Sequence, residues 1–271
     1  MNLFQALVLG VLQGATEFLP VSSSGHLVLL PWLLGWDSPS LAFDAVVHWG
    51  TALAVIVYFW RDWITIAQAV FRSLLDRSLA DSQARLAWFI VLGTIPAALI
   101  GYLLNDFFES MFGRPAAAAG FLLVTAVILA LSERLGRRER DLDTLTWRDA
   151  LLVGLAQALA ILPGISRSGS TIAAGLARGL RRKPAARFSF LLATPIILGA
   201  GLLQVLDLVQ MGGWAAQAPA LVVGFVAAGA VGLSCIHFLM RYLQHRRLYP
   251  FAVYCAVAGV VCLLVPLVRG G

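Results

Sequence analysis

The chain has 271 residues, 60% of them hydrophobic and 13% charged, with a mean hydropathy of +0.85. A soluble domain carries about 25% charged residues, so the composition excludes a water-solvated globule and leaves an integral membrane protein. The net charge of +6 sits in a few discrete runs whose positions mark membrane topology and exclude a nucleic-acid partner.

A helix needs about 20 residues to cross a hydrocarbon core about 30 Å thick, which leaves room for roughly six to eight spanning or half-spanning helices. One membrane domain, residues 1–271, is expected, with no soluble domain. Residues 2–35 form a short apolar stretch, a polar break and a second short apolar stretch. Neither half reaches a full crossing, so a re-entrant helix–break–helix hairpin is predicted. The segment from Met1 to Thr16 has no basic n-region, and a glutamate follows Gly14 and Ala15 too closely for a good cleavage site, so it reads as retained structure. A full span is expected over 41–60. Residues 61–85 alternate charged and apolar positions, which suits an amphipathic interfacial helix. Spans follow at 86–104 and 115–132, then a basic stretch at 133–149, then a second hairpin at 150–180. Spans at 187–206, 219–240 and 250–268 complete an all-α polytopic fold with six full transmembrane helices and two re-entrant hairpins. Cys235, Cys255 and Cys262 lie in apolar stretches without metal-ligand spacing and read as packing residues.

The two polar breaks resemble each other. Gly10, Gln13, Ser22, Ser24 and Gly25 match Gly154, Gln157, Ser166, Ser168 and Gly169 at one constant offset of 144 residues. Repeats are therefore expected at about 1–140 and about 150–271, each with one hairpin and three spans. Three is odd, so the second repeat is inverted relative to the first. Threaded this way, one side of the membrane receives seventeen Lys and Arg residues, in 61–85, 133–149, 178–187 and 241–247, and the other only Arg114 and Arg269. Basic residues mark the cytoplasmic side, which puts both termini on the exterior. The hairpins then enter from opposite faces and their tips meet near the bilayer centre, as in broken-helix transporters. Arg167, inside the second break, belongs to neither side.

Several residues at the breaks can carry chemistry. Glu17 is an intramembrane carboxylate, costly there and a functional candidate by default. Gln13 lies four residues earlier on the same helix face. Ser22, Ser23 and Ser24 open the helix after Pro20, and Ser166 and Ser168, followed by Ser170 and Thr171, open its counterpart. Unpaired N–H groups at a helix start, together with the dipole, favour an anion, and Gly25 and Gly169 let a ligand approach the backbone. Ordinary capping explains any one serine but not the repeated Ser-x-Ser-Gly pattern. His26 falls three residues after Ser23, so Ser23, His26 and Glu17 form a nucleophile–base set. Arg167 offers a fork of donors suited to phosphate and needs Glu17 or a ligand as its partner. Asp44 and His48 are expected to pair at a helix end, His237 to sit in the core and His245 in a basic loop.

This chemistry is recognition of a phosphate or diphosphate between two opposed helix N-termini and Arg167. Glu17, with Gln13, either binds a divalent cation or acts as acid and base. Oxygen ligands suit Mg²⁺ or Ca²⁺, but one carboxylate and one amide form an incomplete cage that water and substrate phosphate would complete. A site within the bilayer favours a lipid-linked substrate whose polyprenyl tail lies between the spans. The rival reading is a transporter or flippase, because inverted repeats with broken helices are a transporter design. A structural scaffold explains neither Arg167 nor the duplicated tips.

At Gln13-x-x-x-Glu17, Phe18-Leu-Pro-Val-Ser-Ser-Ser-Gly-His26 and Pro163-Gly-Ile-Ser-Arg-Ser-Gly-Ser-Thr171 the chain resembles the undecaprenyl-diphosphate phosphatase family associated with bacitracin resistance. The resemblance covers nearly the whole chain. It implies removal of the terminal phosphate from undecaprenyl diphosphate in the bacterial cytoplasmic membrane, recycling the lipid carrier of peptidoglycan synthesis, and a divalent-cation requirement. It also implies that Glu17 is the essential carboxylate, Ser23 the active-site serine, His26 the histidine and Arg167 the arginine. Some family members carry glutamate where this chain has Gln13, which leaves Glu17 as the main cation ligand or proton carrier and Gln13 as an auxiliary oxygen donor. Oligomeric state is left open.

Overall fold

The computed structural model describes residues 1–135, 138–211 and 214–269; Arg137 of the basic stretch lies outside the described residues. In chain order the helices are α1 Leu3–Phe18, α2 Ser23–Leu34, α3 Leu41–Tyr58, α4 Trp60–Leu75, α5 Ser82–Leu103, α6 Asn105–Phe112, α7 Pro115–Leu135, α8 Trp147–Leu159, α9 Arg167–Ala177, α10 Arg182–Met211, α11 Trp214–His245 and α12 Tyr249–Arg269. A 3₁₀ turn at Leu142–Thr144 precedes α8. Six of these helices are long and apolar enough to cross a membrane, and they fall on the six expected spans. Many exposed large side chains on them, such as Leu99, Val127, Val222 and Val257, are hydrocarbon, as suits a lipid-facing surface.

Both hairpins form where the breaks predict them. Asn2 and Gln5 build a capping box at the start of α1, and Thr146 and Asp149 build another at the start of α8. Each first arm stops short of a proline, Pro20 or Pro163, whose ring disfavours helix in the residue before it. Residues 61–85 do not make one helix. In α4 the buried residues Ile66, Ala69 and Ser73 form one stripe, as an interfacial helix should. The chain then leaves helix at Asp76, Arg77 takes φ 48°, and α5 opens only at Ser82. The short α6 was not anticipated; its one buried residue, Phe108, is too little for a periodic signal.

The hairpins are inserted among the spans. Arm α1 packs along α11 and arm α8 along α5, while α3 meets α10 and α7 meets α12. The two first arms thus each pack on a span of the other half. The matched glycines show why these arms lie so close to their partners. A Cβ on Gly10 would stand 2.6 Å from the Gly224 carbonyl oxygen, and one on Gly154 2.3 Å from that of Gly93. Small residues permit backbone contact between membrane helices, where van der Waals packing drives association.

At one end of the bundle the basic segments converge. Arg187 pairs with Asp62 at 2.7 Å, Arg182 with Glu133 at 2.6 Å, and Arg140 and Arg178 with Asp149 at 2.8 and 2.6 Å. The Leu248 N–H donates to Glu133 at 2.9 Å. Segments separated in sequence but assigned to one face do gather on one face.

Candidate active site

The two tips are built alike and interlock. Ser22 Oγ accepts the Gly25 N–H at 3.3 Å, and Ser166 Oγ accepts the Gly169 N–H at 3.0 Å. Ser22 and Ser24 hydroxyls stand 3.4 Å apart, those of Ser166 and Ser168 3.3 Å apart. Across the junction the Gly164 N–H donates to Ser22 Oγ at 3.1 Å and Ser168 Oγ donates to the Leu19 carbonyl at 3.3 Å. Thr125, from α7, braces the second tip by donating to the Gly164 carbonyl at 2.8 Å and accepting the Ser166 N–H at 3.0 Å. Ser22 takes φ 72°, a left-handed conformation rare outside glycine that commonly marks a functional site. A Cβ on Gly25 would lie 2.8 Å from Gly164 Cα. Glycine at 25 therefore serves the meeting of the tips, a closer constraint than the ligand approach expected for it.

The carboxylate of Glu17, almost fully buried, is the hub. Its Oε1 accepts from Arg167 Nη2 at 2.7 Å, and its Oε2 accepts from Gln13 Nε2 at 3.0 Å and from Ser23 Oγ. His48 Nε2 stands 3.7 Å from Oε2. Arg167 Nη1 also donates to the Ser189 carbonyl at 3.4 Å, and Thr171 Oγ1 meets Ser189 Oγ at 2.6 Å, which ties α9 to α10. A buried ion pair must offset heavy desolvation with good geometry and further hydrogen bonds, and here both carboxylate oxygens are satisfied.

The structure joins Gln13, Glu17, Ser23 and Arg167 as expected, but pairs the serine differently. Ser23 bonds to Glu17, and His26 does not reach it. His26 Nδ1 lies 2.7 Å from the Ser22 carbonyl and Nε2 2.7 Å from the Tyr254 hydroxyl, with the two rings stacked 5.6 Å apart. A carbonyl only accepts, so Nδ1 carries the proton and, in the neutral ring, Tyr254 donates to Nε2. The expected side-chain pair of Asp44 and His48 is not formed. His48 Nδ1 contacts the Asp44 main-chain oxygen at 2.6 Å and turns Nε2 toward Glu17, while Asp44 Oδ1 is buried without a hydrogen-bond partner. His237 is exposed beside Tyr58, not in the core. Of the residues expected to hold phosphate, Ser22, Ser166 and Ser168 spend their hydroxyls on capping and on joining the tips, and Thr171 meets Ser189 of α10.

Thr125, Ser189 and Tyr254 were missed as site residues, and His48 was read with Asp44 as a helix-end pair. Only the packing of distant helices brings these side chains to the tips. Position 48 carried a signal, an ionisable residue inside a span, set aside in favour of a local partner.

The family described as "Bacitracin resistance protein BacA" matches residues 6–261. An undecaprenyl-diphosphatase of Thermomicrobium roseum is 50% identical, covering 98% of this chain and 98% of its own length. One from Desulforudis audaxviator is 42% identical over the full length of both chains, and one from Nitrosococcus oceani is 44% identical over 96% of this chain and 98% of its own. A match of that extent, which takes in both tips, five spans and most of the sixth, makes this chain a member of the BacA family of bacitracin resistance proteins.

Proposed function

We propose that this chain hydrolyses undecaprenyl diphosphate to undecaprenyl phosphate and inorganic phosphate, as its relatives' names describe, and so recycles the lipid carrier and confers bacitracin resistance. The observation that carries the reading is Glu17 bound at once to a hydroxyl nucleophile, Ser23, and to a phosphate-binding cation, Arg167. In the resting site Arg167 neutralises Glu17. A diphosphate competes for the guanidinium, and Glu17, relieved of its counter-ion, becomes the base for Ser23. Ser23 Oγ then attacks the terminal phosphorus as its proton passes to Glu17. The bond from phosphorus to the bridging oxygen breaks and polyprenyl monophosphate leaves. Water hydrolyses the serine phosphate, releasing inorganic phosphate and restoring the serine. The opposed starts of α2 and α9 and the Arg167 fork stabilise charge on the transferring group, the main requirement of phosphoryl transfer. His26 acts on the tip, not directly on Ser23, by holding the Ser22 carbonyl.

The divalent cation fits this donor set in part. Gln13 Oε1 is buried without a hydrogen-bond partner beside the Glu17 carboxylate, so two hard oxygens are at hand. Among the described residues no cluster of three His, Cys, Asp or Glu could cage a metal. Glu17 and Gln13 would hold Mg²⁺ or Ca²⁺ only together with water and the substrate's phosphates. When bound, the ion supplies neutralisation of phosphate charge.

The proposed setting is the bacterial cytoplasmic membrane, with the basic end of the bundle in the cytoplasm and both termini outside. Purified protein given polyprenyl diphosphate should release phosphate, and acid quenching should trap phosphoserine at Ser23. Release without trapped phosphoserine would point to direct attack by water. Lipid movement across sealed vesicles with no phosphate released would establish the flippase instead. Cysteine labels near Asp37 should react from outside and one near Arg138 only from inside; the reverse pattern inverts the topology.

A further inference from the structure

We propose that a second anion site lies at the basic end of the bundle, away from the tips, and takes a phosphate group, favouring the headgroup of an anionic phospholipid. A cavity of about 660 Å³ opens there between the loop before α8, the first turns of α5 and α10, and the last turn of α11. Five cationic side chains line it, Arg138, Arg181, Arg182, Lys183 and Arg187, against two carboxylates, Asp141 and Asp143.

Membrane topology requires basic residues on this face but does not require them to converge on one open cavity. Here four arginines are held in place by acids. Arg138 and Arg182 share Glu133 at 3.0 and 2.6 Å, Arg181 meets Asp141 at 3.0 Å and Arg187 meets Asp62 at 2.7 Å. Arg138 and Arg182, held on the buried Glu133 carboxylate, lose little entropy when an anion arrives. Lys183 has no acidic partner among the described residues. Counting Glu133 and Asp62 with the lining, five cations face four carboxylates, which leaves one positive charge for one phosphodiester. The volume is within the roughly 300–1,000 Å³ of small-ligand pockets and exceeds the needs of a bare phosphate. Leu86, Leu142 and Leu243 also line it, giving apolar surface for glycerol and the start of an acyl chain. Basic pockets between transmembrane helices on the cytoplasmic side suit anionic headgroups.

The test uses the full chain in neutral detergent, with retained lipid read by native mass spectrometry against added phosphatidylglycerol, phosphatidylcholine or inorganic phosphate. Phosphatidylglycerol should be retained at least tenfold better than phosphatidylcholine. The paired variant Arg181→Glu/Lys183→Glu should lose that preference while releasing phosphate from polyprenyl diphosphate at the wild-type rate, which also shows that it folds. Arg167→Ala, disabled at the tips, should keep the preference, so failure of this site and failure of the proposed reaction are distinguishable. Retention of inorganic phosphate, lost in the paired variant but kept in Arg167→Ala, would support the site with a free anion as its source. Equal retention of both lipids with no phosphate bound, or a preference unchanged in the paired variant, would overturn it.

Discussion

Replacing Arg167 by methionine leaves Glu17 buried but without its counter-ion. The two side chains are 14% and 4% exposed, so solvent compensates the bare carboxylate poorly. Removing one member of a buried pair costs about 3–5 kcal/mol, whereas replacing both members by neutral groups of similar shape is often close to neutral. Glu17→Gln keeps the shape and can still meet Ser23 and Gln13. Arg167→Met should therefore lower the melting temperature by on the order of 10 °C. The double variant Glu17→Gln/Arg167→Met should recover much of the loss, with a coupling of about 2–3 kcal/mol. The assay is thermal unfolding of purified protein in one detergent, followed by tryptophan fluorescence, with phosphate release measured alongside. All three variants should be inactive, which separates stability from catalysis. Additive destabilisation in the double variant, or a wild-type melting curve for Arg167→Met, would refute the reasoning that the pair is dry and mutually dependent.

Tyr254→Phe keeps the ring stacked on His26 but removes the donor to Nε2; a loss of about 1 kcal/mol should slow phosphate release roughly fivefold and alter its pH profile, and an unchanged profile would remove Tyr254 from the site. Gly154→Ala drives a Cβ into the Gly93 carbonyl; overpacking should cost at least about 1–3 kcal/mol, read as a lower melting temperature, while Gly120→Ala, whose Cβ meets nothing within 4 Å, should be neutral. At the basic end, burial alone would raise the Asp149 carboxyl, but hydrogen bonds from Arg140, Arg178 and Thr146 hold it well below the usual range. Its stabilising effect should therefore be complete above pH about 4 and fade as pH falls toward the lower folded value. Asp149→Asn should melt below wild type at pH 7, with the gap narrowing in acid, and a gap that widens in acid would contradict this.

The spans and hairpins were legible because lipid imposes a length and an apolarity on each crossing, and because arginines accumulate on one side. The tips were legible as a pair because serine, glycine and a constant offset survive in both halves. What the tips do to one another was not legible. Ser22 bonds to Gly164 and Ser23 to Glu17 through a fold that reverses the chain at Leu19–Ser22, and no helical spacing predicts either contact. The spacing of Ser23 and His26 suggested a pair, but both project from a helix whose first turn is already committed. Ser23 turns back to α1, and His26 turns out to α12. Tyr254 has no local signal at all: its role comes from α12 packing on α7 beside the first tip. Residues 61–85 read as one amphipathic helix because charge alternation does not register the left-handed Arg77 that ends α4.

The Glu17–Arg167 pair also bears on how the protein is made. The two residues are 150 positions apart, so at about 5–20 residues per second the ribosome delivers the arginine roughly 8–30 s after the glutamate. Throughout that interval the first hairpin has a carboxylate and no cation for it, and the Ser22 hydroxyl has no Gly164 to receive. A carboxylate without its cation is costly at membrane depth, so the first tip cannot take up its charged, paired state on its own. That state must wait for the second hairpin, so the Glu17–Arg167 pair closes only after both hairpins have been made.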